Sequence, residues 1–89
     1  FYLYLQYLVS IELELMMQAF DDAGLADNTI VVFTSDHGSC VMSHNQMVQK
    51  FFQAYEESVR VPFVISSPLI NPTDTVRQVD LTTSHIDLA

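Results

Sequence analysis

Apolar residues recur at every third or fourth position through the first quarter of the chain, and this spacing predicts a helix from about Tyr4 to Ala23. The stripe expected to be buried contains Leu8, Ile11, Leu15 and Ala19. Gly24 is suited to the left-handed position that often ends a helix, with Leu25 folded back on the last turn. We therefore expect one face of this helix to pack against the rest of the fold.

A different pattern, a continuous apolar and β-branched run, occupies Ile30 to Thr34 after a turn at Asp27 and Asn28. A run without alternating polar positions is typical of a strand covered on both faces. A helix, a short turn and a covered strand make half of an α/β crossover unit. The pattern therefore predicts an α/β fold.

A long loop and a second strand follow. Residues 39–54 form a polar and aromatic loop of about sixteen residues, and this length favours a functional role over simple connection. Val59 to Ile65 predicts a strand, which Pro62 restricts to a sheet edge, a bulge or a strand start.

The end of the chain predicts two short elements. Val76 to Leu81 has the pattern of a short strand, and Thr83 or Ser84 could cap a helix that begins at His85. The chain has no starting methionine and stops within this predicted helix. We therefore expect residues 1–89 to be a single partial domain that is truncated at both ends.

Composition limits the classes of function. A hydrophobic content of 49% is enough for a core and argues against disorder. The formal charge of −8, from 3 basic and 11 acidic residues, would repel nucleic acid, so no nucleic-acid partner is expected. The apolar stretch from Phe1 to Met17 is interrupted by Glu12 and Glu14 and is short for a membrane span, so no span is expected. The single cysteine permits no internal disulfide.

Asp36, His37 and Gly38 follow closely on the predicted strand. Open α/β sheets place their ligand sites at the carboxyl ends of strands. The Asp36 carboxylate offers a hard oxygen and the His37 imidazole a borderline nitrogen, so both could bind one divalent cation. Gly38 is expected to adopt a positive φ, which would turn the backbone away from a ligand. Alone, the tripeptide is a weak signal, and a turn-capping aspartate beside a surface histidine is the alternative.

Four segments occur in a distinctive order, namely Thr34 to Gly38, Ser43-His44, Lys50, and Tyr55 to Pro62. In order and approximate spacing they resemble the C-terminal part of the catalytic domain of sulfatases, a family of the alkaline phosphatase superfamily. The resemblance extends from residue 23 to residue 88 and so covers most of the chain. It implies an alkaline-phosphatase-like α/β fold, with a mixed, mostly parallel sheet flanked by helices.

The resemblance implies that Asp36 and His37 complete a calcium-type metal site, whose other carboxylates come from an earlier segment of the domain. Many sulfatases have asparagine at the position of His37, although an imidazole also occurs there. Nitrogen ligands suit manganese, iron or zinc better than calcium. We therefore expect one divalent cation, with Ca²⁺ as the first candidate and Mn²⁺ or another divalent ion as the alternative.

The same resemblance implies roles near the substrate for Lys50 and His44. Sulfatases carry a lysine between these motifs that contacts the ester oxygens, and an ammonium is a good partner for sulfate. The loop here is about two residues longer than the usual pattern, and a solvated surface lysine is the alternative. His44 lies where the family commonly reads Gly-x-His-Gly, but Met42 to Asn45 lacks both glycines. His44 could protonate the leaving group or could be a loop histidine bonded to backbone.

Other chemically interesting residues are expected to have structural roles. Cys40 lacks the proline and arginine that follow the formylglycine-forming cysteine of sulfatases, so a partly buried loop thiol is expected. Arg60 is expected to form an ion-pair network with Glu56 and Glu57 that holds the preceding loop. His85 has no acidic or cysteine partner near it in sequence, so a capping or surface role is expected.

These inferences point to part of a metal-dependent sulfuric ester hydrolase that acts on a small-molecule or carbohydrate sulfate ester. The resemblance implies attack on sulfur by a hydrated formylglycine that lies in a segment outside this chain, so the chain alone is expected to be inactive. Two alternatives stay open. One is a phosphonate or phosphate monoester hydrolase of the same superfamily, and the other is a degenerate, non-catalytic fragment.

Overall fold

The computed structural model describes residues 1–73 and 75–88, so Ala89, the end of the predicted partial domain, lies outside the described residues. The regular elements are helix α1 (Tyr2–Asp22), strand β1 (Val31–Thr34), the helical turns α2 (Ser43–Gln46) and α3 (Glu56–Val59), and strand β2 (Phe63–Ser66). Two 3₁₀ turns, Ala26–Asn28 and His85–Leu88, complete the order.

Helix α1 confirms the predicted helix, beginning two residues earlier and ending one residue earlier than expected. Gly24 follows it with a φ of 68°, as predicted. The Gly24 N–H donates to the Asp21 carbonyl at 2.9 Å and the Leu25 N–H donates to the Phe20 carbonyl at 3.3 Å. This pair of bonds is a Schellman cap, which satisfies carbonyls that the helix end would otherwise leave open.

Helix α1 has no buried residue, so the predicted burial of its apolar stripe is not met in this chain. It also does not pack against the sheet in the described part of the chain. Within the described residues, strands β1 and β2 are the elements in extensive contact with each other. Within residues 1–73 and 75–88, no helix combines the length and the apolar character that crossing a membrane requires.

Strands β1 and β2 pair antiparallel, with Val31 opposite Ser66 and Thr34 opposite Phe63. The second strand was expected from Val59, but that residue ends α3, and β2 begins only after Pro62. Pro62 thus lies directly before the first residue of β2, next to the strand start that was among its predicted places. One antiparallel pair fits a mixed sheet but does not show how further strands run, so the mostly parallel sheet stays a prediction.

The prediction that β1 is covered on both faces is wrong for this chain. Val32 and Phe33, on opposite faces of the strand, are 42% and 40% exposed. A two-stranded sheet without a packed helix layer leaves both faces open, and such a pair is marginally stable in isolation.

The described residues from 75 to 84 form no strand, so the prediction for Val76 to Leu81 is wrong. A 3₁₀ turn begins at His85, the predicted helix start. The Asp87 side chain caps this turn, because Asp87 Oδ2 accepts from the Ser84 N–H at 2.6 Å, and the Asp87 N–H closes the turn by donating to the Ser84 carbonyl at 3.0 Å.

Candidate metal and ester-binding site

The turn after β1 places Asp36 and His37 side by side. The His37 N–H donates to Asp36 Oδ1 at 2.9 Å, and the Ser35 hydroxyl donates to the His37 carbonyl at 2.7 Å. Asp36 Oδ2 lies 3.2 Å from His37 Nε2. A carboxylate oxygen and a ring nitrogen therefore face each other at the end of the strand, where the sequence placed the candidate ligands.

The His37 ring is oriented by its neighbour. Its Nδ1 lies 2.7 Å from the Gly38 carbonyl. A carbonyl oxygen only accepts hydrogen bonds, so Nδ1 carries the hydrogen, and Nε2 of a neutral ring presents a lone pair. Metal-binding histidines commonly donate their other ring N–H in this way. A cation bound to both atoms would fit the neutral form of the ring, in which Nε2 presents its lone pair on the side of the Asp36 carboxylate.

The separation of the two atoms fits adjacent ligands of one ion. Bonds of roughly 2.3 Å, the short end of the range for calcium, at a right angle put two ligand atoms roughly 3.3 Å apart. The observed distance is 3.2 Å, and the Asp36 and His37 side chains are 83% and 39% exposed, so an ion can reach both. The described residues contain no cluster of three or more His, Cys, Asp and Glu side chains suited to a metal. The pair by itself could supply two ligands to a cation.

Gly38 joins this turn to α3. Its N–H donates to the Ser58 carbonyl at 2.9 Å, and a Cβ at this position would collide with the Glu57 carbonyl. The predicted positive φ is wrong, because Gly24 is the glycine with that conformation. Gly38 is instead required by the close approach of two backbones.

Lys50 shares an open cleft with His37. The cleft has a volume of about 290 Å³, and its lining consists of His37, Gly38, Ser39, Gln49 and Lys50. Asp36 is not part of that lining, although its carboxylate contacts His37. Lys50 forms no ion pair among the described residues. The lengthened loop therefore still brings the lysine beside the turn that carries the candidate ligands.

His44 contacts α3 and does not line this cleft. Its Nε2 lies 2.9 Å from Glu57 Oε2, and its ring stacks on Tyr55 with centroids 3.7 Å apart. The hydrogen bond with His44 holds the pKa of Glu57 below its ordinary value of 4.5. In the part of the chain that the structure describes, Arg60 pairs with Glu56 alone, at 3.9 Å. The predicted network is therefore divided, because His44 takes the second glutamate.

The backbone on either side of His44 is left-handed at the two positions where the family pattern has glycine. Met42 and Asn45, which occupy the two glycine positions, have φ values of 75° and 63°. These are left-handed conformations that glycine adopts freely, that asparagine tolerates and that a methionine adopts at a cost of about 1–2 kcal/mol. The chain adopts these conformations without glycine at either position.

Cys40 lies in a small polar cluster beneath the loop. It is 2% exposed, more buried than expected. Its sulfur lies 3.6 Å from the Ser58 hydroxyl and 3.4 Å from Gln53 Nε2, which also donates to that hydroxyl at 2.6 Å. These contacts give Cys40 and Gln53 a structural part in attaching the loop to α3.

His85 is the residue of this region that sequence reasoning missed. Its Nε2 lies 2.7 Å from the carbonyl of Ser35, fifty positions earlier and directly before the candidate ligand pair. The predicted capping or surface role is therefore incomplete. No local pattern signals this contact, because it depends on where the end of the chain folds back.

Comparison with known proteins agrees with the order of these motifs. A family model described as Sulfatase matches residues 9–89. Arylsulfatase K of Xenopus laevis is 38% identical over 73 residues, which are 82% of this chain and 13% of that protein. Ulvan-active sulfatase of Formosa agariphila is 42% identical over 57 residues, covering 64% of this chain and 11% of the relative.

A third relative, the uncharacterized sulfatase YidJ of Escherichia coli strain K12, is 40% identical over 62 residues, covering 70% of this chain and 12% of its own length. The chain thus spans between 11% and 13% of these three relatives. No solved structure matches the chain.

Proposed function

This chain belongs to the sulfatase family, and we propose that it is part of the catalytic domain of a metal-dependent sulfuric ester hydrolase. The observation that carries the proposal is the Asp36–His37 pair at the end of β1, with Oδ2 and Nε2 3.2 Å apart. The whole protein, meaning the longer protein to which we assign this chain, supplies the remaining ligands. Relatives several times longer than the chain support that assignment.

In this proposal Asp36 and His37 hold one divalent cation, Ca²⁺ or, given the imidazole, Mn²⁺ or another divalent ion. When bound, such a cation would polarise the sulfate ester and offset negative charge. Asp36 contributes a carboxylate oxygen. The Gly38 carbonyl oxygen lies 2.7 Å from His37 Nδ1 and accepts its hydrogen, so Nε2 is the ring nitrogen that can bind the cation.

Lys50 is proposed to bind the ester oxygens from the cleft that it shares with His37. Its ammonium would stabilise negative charge that develops on the ester during reaction. His44 is proposed to donate a proton to the leaving oxygen, with the Glu57 carboxylate orienting its ring. The ring of His44 lies outside the cleft lining. Its proposed role is supported by its place on the same loop as Lys50.

The nucleophile is proposed to be a formylglycine in a part of the whole protein outside this chain. The substrate is proposed to be a small-molecule or carbohydrate sulfate ester. One relative is named for activity on ulvan and another is named an arylsulfatase, so the family relation alone does not select between substrates.

The test compares whole wild-type protein with the variants Asp36→Ala and Asp27→Ala, using an aryl sulfate and the matching phosphate and phosphonate esters. We expect hydrolysis of the sulfate ester by the wild type and loss of both activity and bound metal in Asp36→Ala. Asp27 is an exposed aspartate in the turn before β1, so its variant should keep both. Faster cleavage of the phosphorus esters, or normal turnover by Asp36→Ala, would contradict the proposal.

A further inference from the structure

Among residues 1–73 and 75–88, two hydrogen bonds attach the turn that carries the candidate metal ligands to other segments. At one end the Gly38 N–H donates to the Ser58 carbonyl of α3. At the other end the Ser35 carbonyl accepts a hydrogen bond from His85 Nε2 at 2.7 Å. The remaining hydrogen bonds of the turn connect its own residues to one another. The hydrogen bond from His85 is therefore the contact in which a side chain from a distant part of the sequence holds the turn.

The Ser35 carbonyl belongs to the planar peptide group that ends at the nitrogen of Asp36. An external hydrogen bond to that carbonyl limits rotation of the peptide plane. The plane in turn sets the direction in which the Asp36 side chain leaves the backbone. The position of Asp36 Oδ2 relative to His37 Nε2 thus depends on a contact that neither ligand makes.

The proton required for this bond is available in two states of the ring. A carbonyl only accepts, so His85 Nε2 carries the hydrogen, as it does in the charged ring and in one neutral tautomer. The 3₁₀ turn that holds His85 is closed separately by the reciprocal bonds between Ser84 and Asp87. The His85 side chain is therefore not needed as the cap of its own turn.

From this geometry we propose that His85 is a positioning residue, which holds the Asp36–His37 pair in the arrangement that binds a divalent cation. The inference rests on the proposed metal role of that pair. It assigns no contact between His85 and the cation or the substrate. Partners that orient metal ligands typically change metal affinity or activity by roughly 10–100-fold when they are removed. We expect the lower end of that range, because His85 acts on the ligand through its backbone.

The test uses metal-stripped whole protein, titrated with Ca²⁺ and separately with Mn²⁺, in the variants His85→Phe and His85→Gln. Phenylalanine keeps a ring but removes the donor, whereas the glutamine amide can still donate to the Ser35 carbonyl. We expect His85→Phe to weaken cation binding about tenfold and to lower kcat with little change in KM. His85→Gln should stay close to wild type, with a change of less than about twofold in both properties.

Thermal unfolding of the metal-free variants separates positioning from general stability. We expect the two variants to have similar Tm values without metal and different cation affinities. Equal losses of affinity in both variants, or wild-type affinity in His85→Phe, would overturn this inference alone. A wild-type protein that binds no divalent cation would overturn the proposed function and this inference with it.

A second route to the same contact is available if His85→Phe does not fold. Asp87→Ala removes the acceptor that closes the 3₁₀ turn but leaves the His85 ring in place. It should weaken cation binding in the same direction, by about threefold, because the donor is held less firmly. Unchanged affinity in Asp87→Ala would then count against the inference.

Discussion

At the scale of single residues, the site depends on hydrogen bonds that decide which ring nitrogen of a histidine carries the hydrogen. The Gly38 carbonyl takes the hydrogen of His37 Nδ1 and leaves Nε2 facing Asp36. The Ser35 carbonyl takes the hydrogen of His85 Nε2. Both contacts use backbone oxygens, which accept but cannot donate, so the ring orientation follows from the fold of the turn.

Lys50 offers a direct test of the cleft. If its ammonium contacts the ester oxygens, Lys50→Ala in the whole protein should reduce kcat/KM by about 10²–10³-fold, which corresponds to about 3–4 kcal/mol of transition-state stabilisation. Bound metal and Tm should stay near wild type, because Lys50 pairs with no described residue. Arg77→Ala, which removes an exposed cation outside the cleft lining, is the matched control and should have little effect. An unchanged kcat/KM in Lys50→Ala would remove this residue from the site.

Glu57 provides a test of the His44 contact that needs no activity. The hydrogen bond from His44 lowers the Glu57 pKa below its ordinary value of 4.5. The contact therefore stabilises the fold at pH values above 4.5, and this stabilisation is lost as the pH falls through the lower pKa of the folded state. His44→Phe keeps an aromatic ring beside Tyr55 but removes the donor, and it should raise the Glu57 pKa toward its ordinary value. A carboxyl-carbon NMR titration measures this shift. Tyr55→Leu, which removes the stacked ring and keeps the donor, should leave the pKa closer to wild type.

At the scale of elements, the four-residue turn α3 connects the parts of the site. Its Ser58 carbonyl holds Gly38, its Ser58 hydroxyl accepts from Gln53, and its Glu57 carboxylate holds His44. The sequence predicted a structural role for this polar segment, but it predicted that Arg60 would form ion pairs with both Glu56 and Glu57. The difference arises because one exposed arginine at an i,i+4 spacing pairs with one glutamate and leaves the other free for the loop.

Alanine substitutions at Gly38 and Gly24 are expected to have different effects on stability and cation binding. Gly38→Ala would force a Cβ against the Glu57 carbonyl and should cost about 1–3 kcal/mol of unfolding free energy while weakening cation binding. Gly24→Ala meets no atom but keeps a φ of 68°, so it should cost about 1–2 kcal/mol and leave cation binding unchanged. Denaturant unfolding and metal titration of the whole protein distinguish the two. Wild-type cation affinity in Gly38→Ala would show that the turn does not depend on this close approach.

At the scale of the whole molecule, the chain buries very little. Cys40 is the buried hydrophobic residue of the described chain, and the radius of gyration is 16.0 Å. A compact chain of this length would have a radius of roughly 12 Å. The apolar surfaces of α1 and of both faces of the sheet therefore need partners, which fits the proposal that this is one portion of an α/β sulfatase domain.

The same observation predicts the behaviour of the isolated chain. Residues 1–89 expressed alone should not hydrolyse an aryl sulfate in the presence of Ca²⁺ or Mn²⁺, because two candidate ligands and one lysine do not complete the site. The whole protein should hydrolyse it under the same conditions. A steady-state assay with both samples at equal molar concentration measures the difference. Turnover by the isolated chain that survives Asp36→Ala would point to a contaminating activity, whereas turnover that Asp36→Ala abolishes would contradict the partial-domain proposal.

Local chemistry determined much of this protein in advance. The periodic apolar residues predicted α1, Gly24 predicted its left-handed end, and the β-branched run predicted β1 with Asp36 just beyond it. Each of these features depends on neighbours within a few positions, where periodicity, φ preference and side-chain branching act directly. The order of polar motifs also indicated the family that the comparisons show.

Only the tertiary structure decided which distant groups meet. It brought Lys50 to the cleft of His37, His44 to Glu57 and His85 to the Ser35 carbonyl. It also showed that Gly38 is required for close backbone approach, and that residues 76–81 form no strand. These outcomes depend on chain segments many positions apart, and a strand forms only where another backbone offers hydrogen-bond partners. Sequence spacing carries no direct record of such contacts, because they arise when the chain folds back on itself.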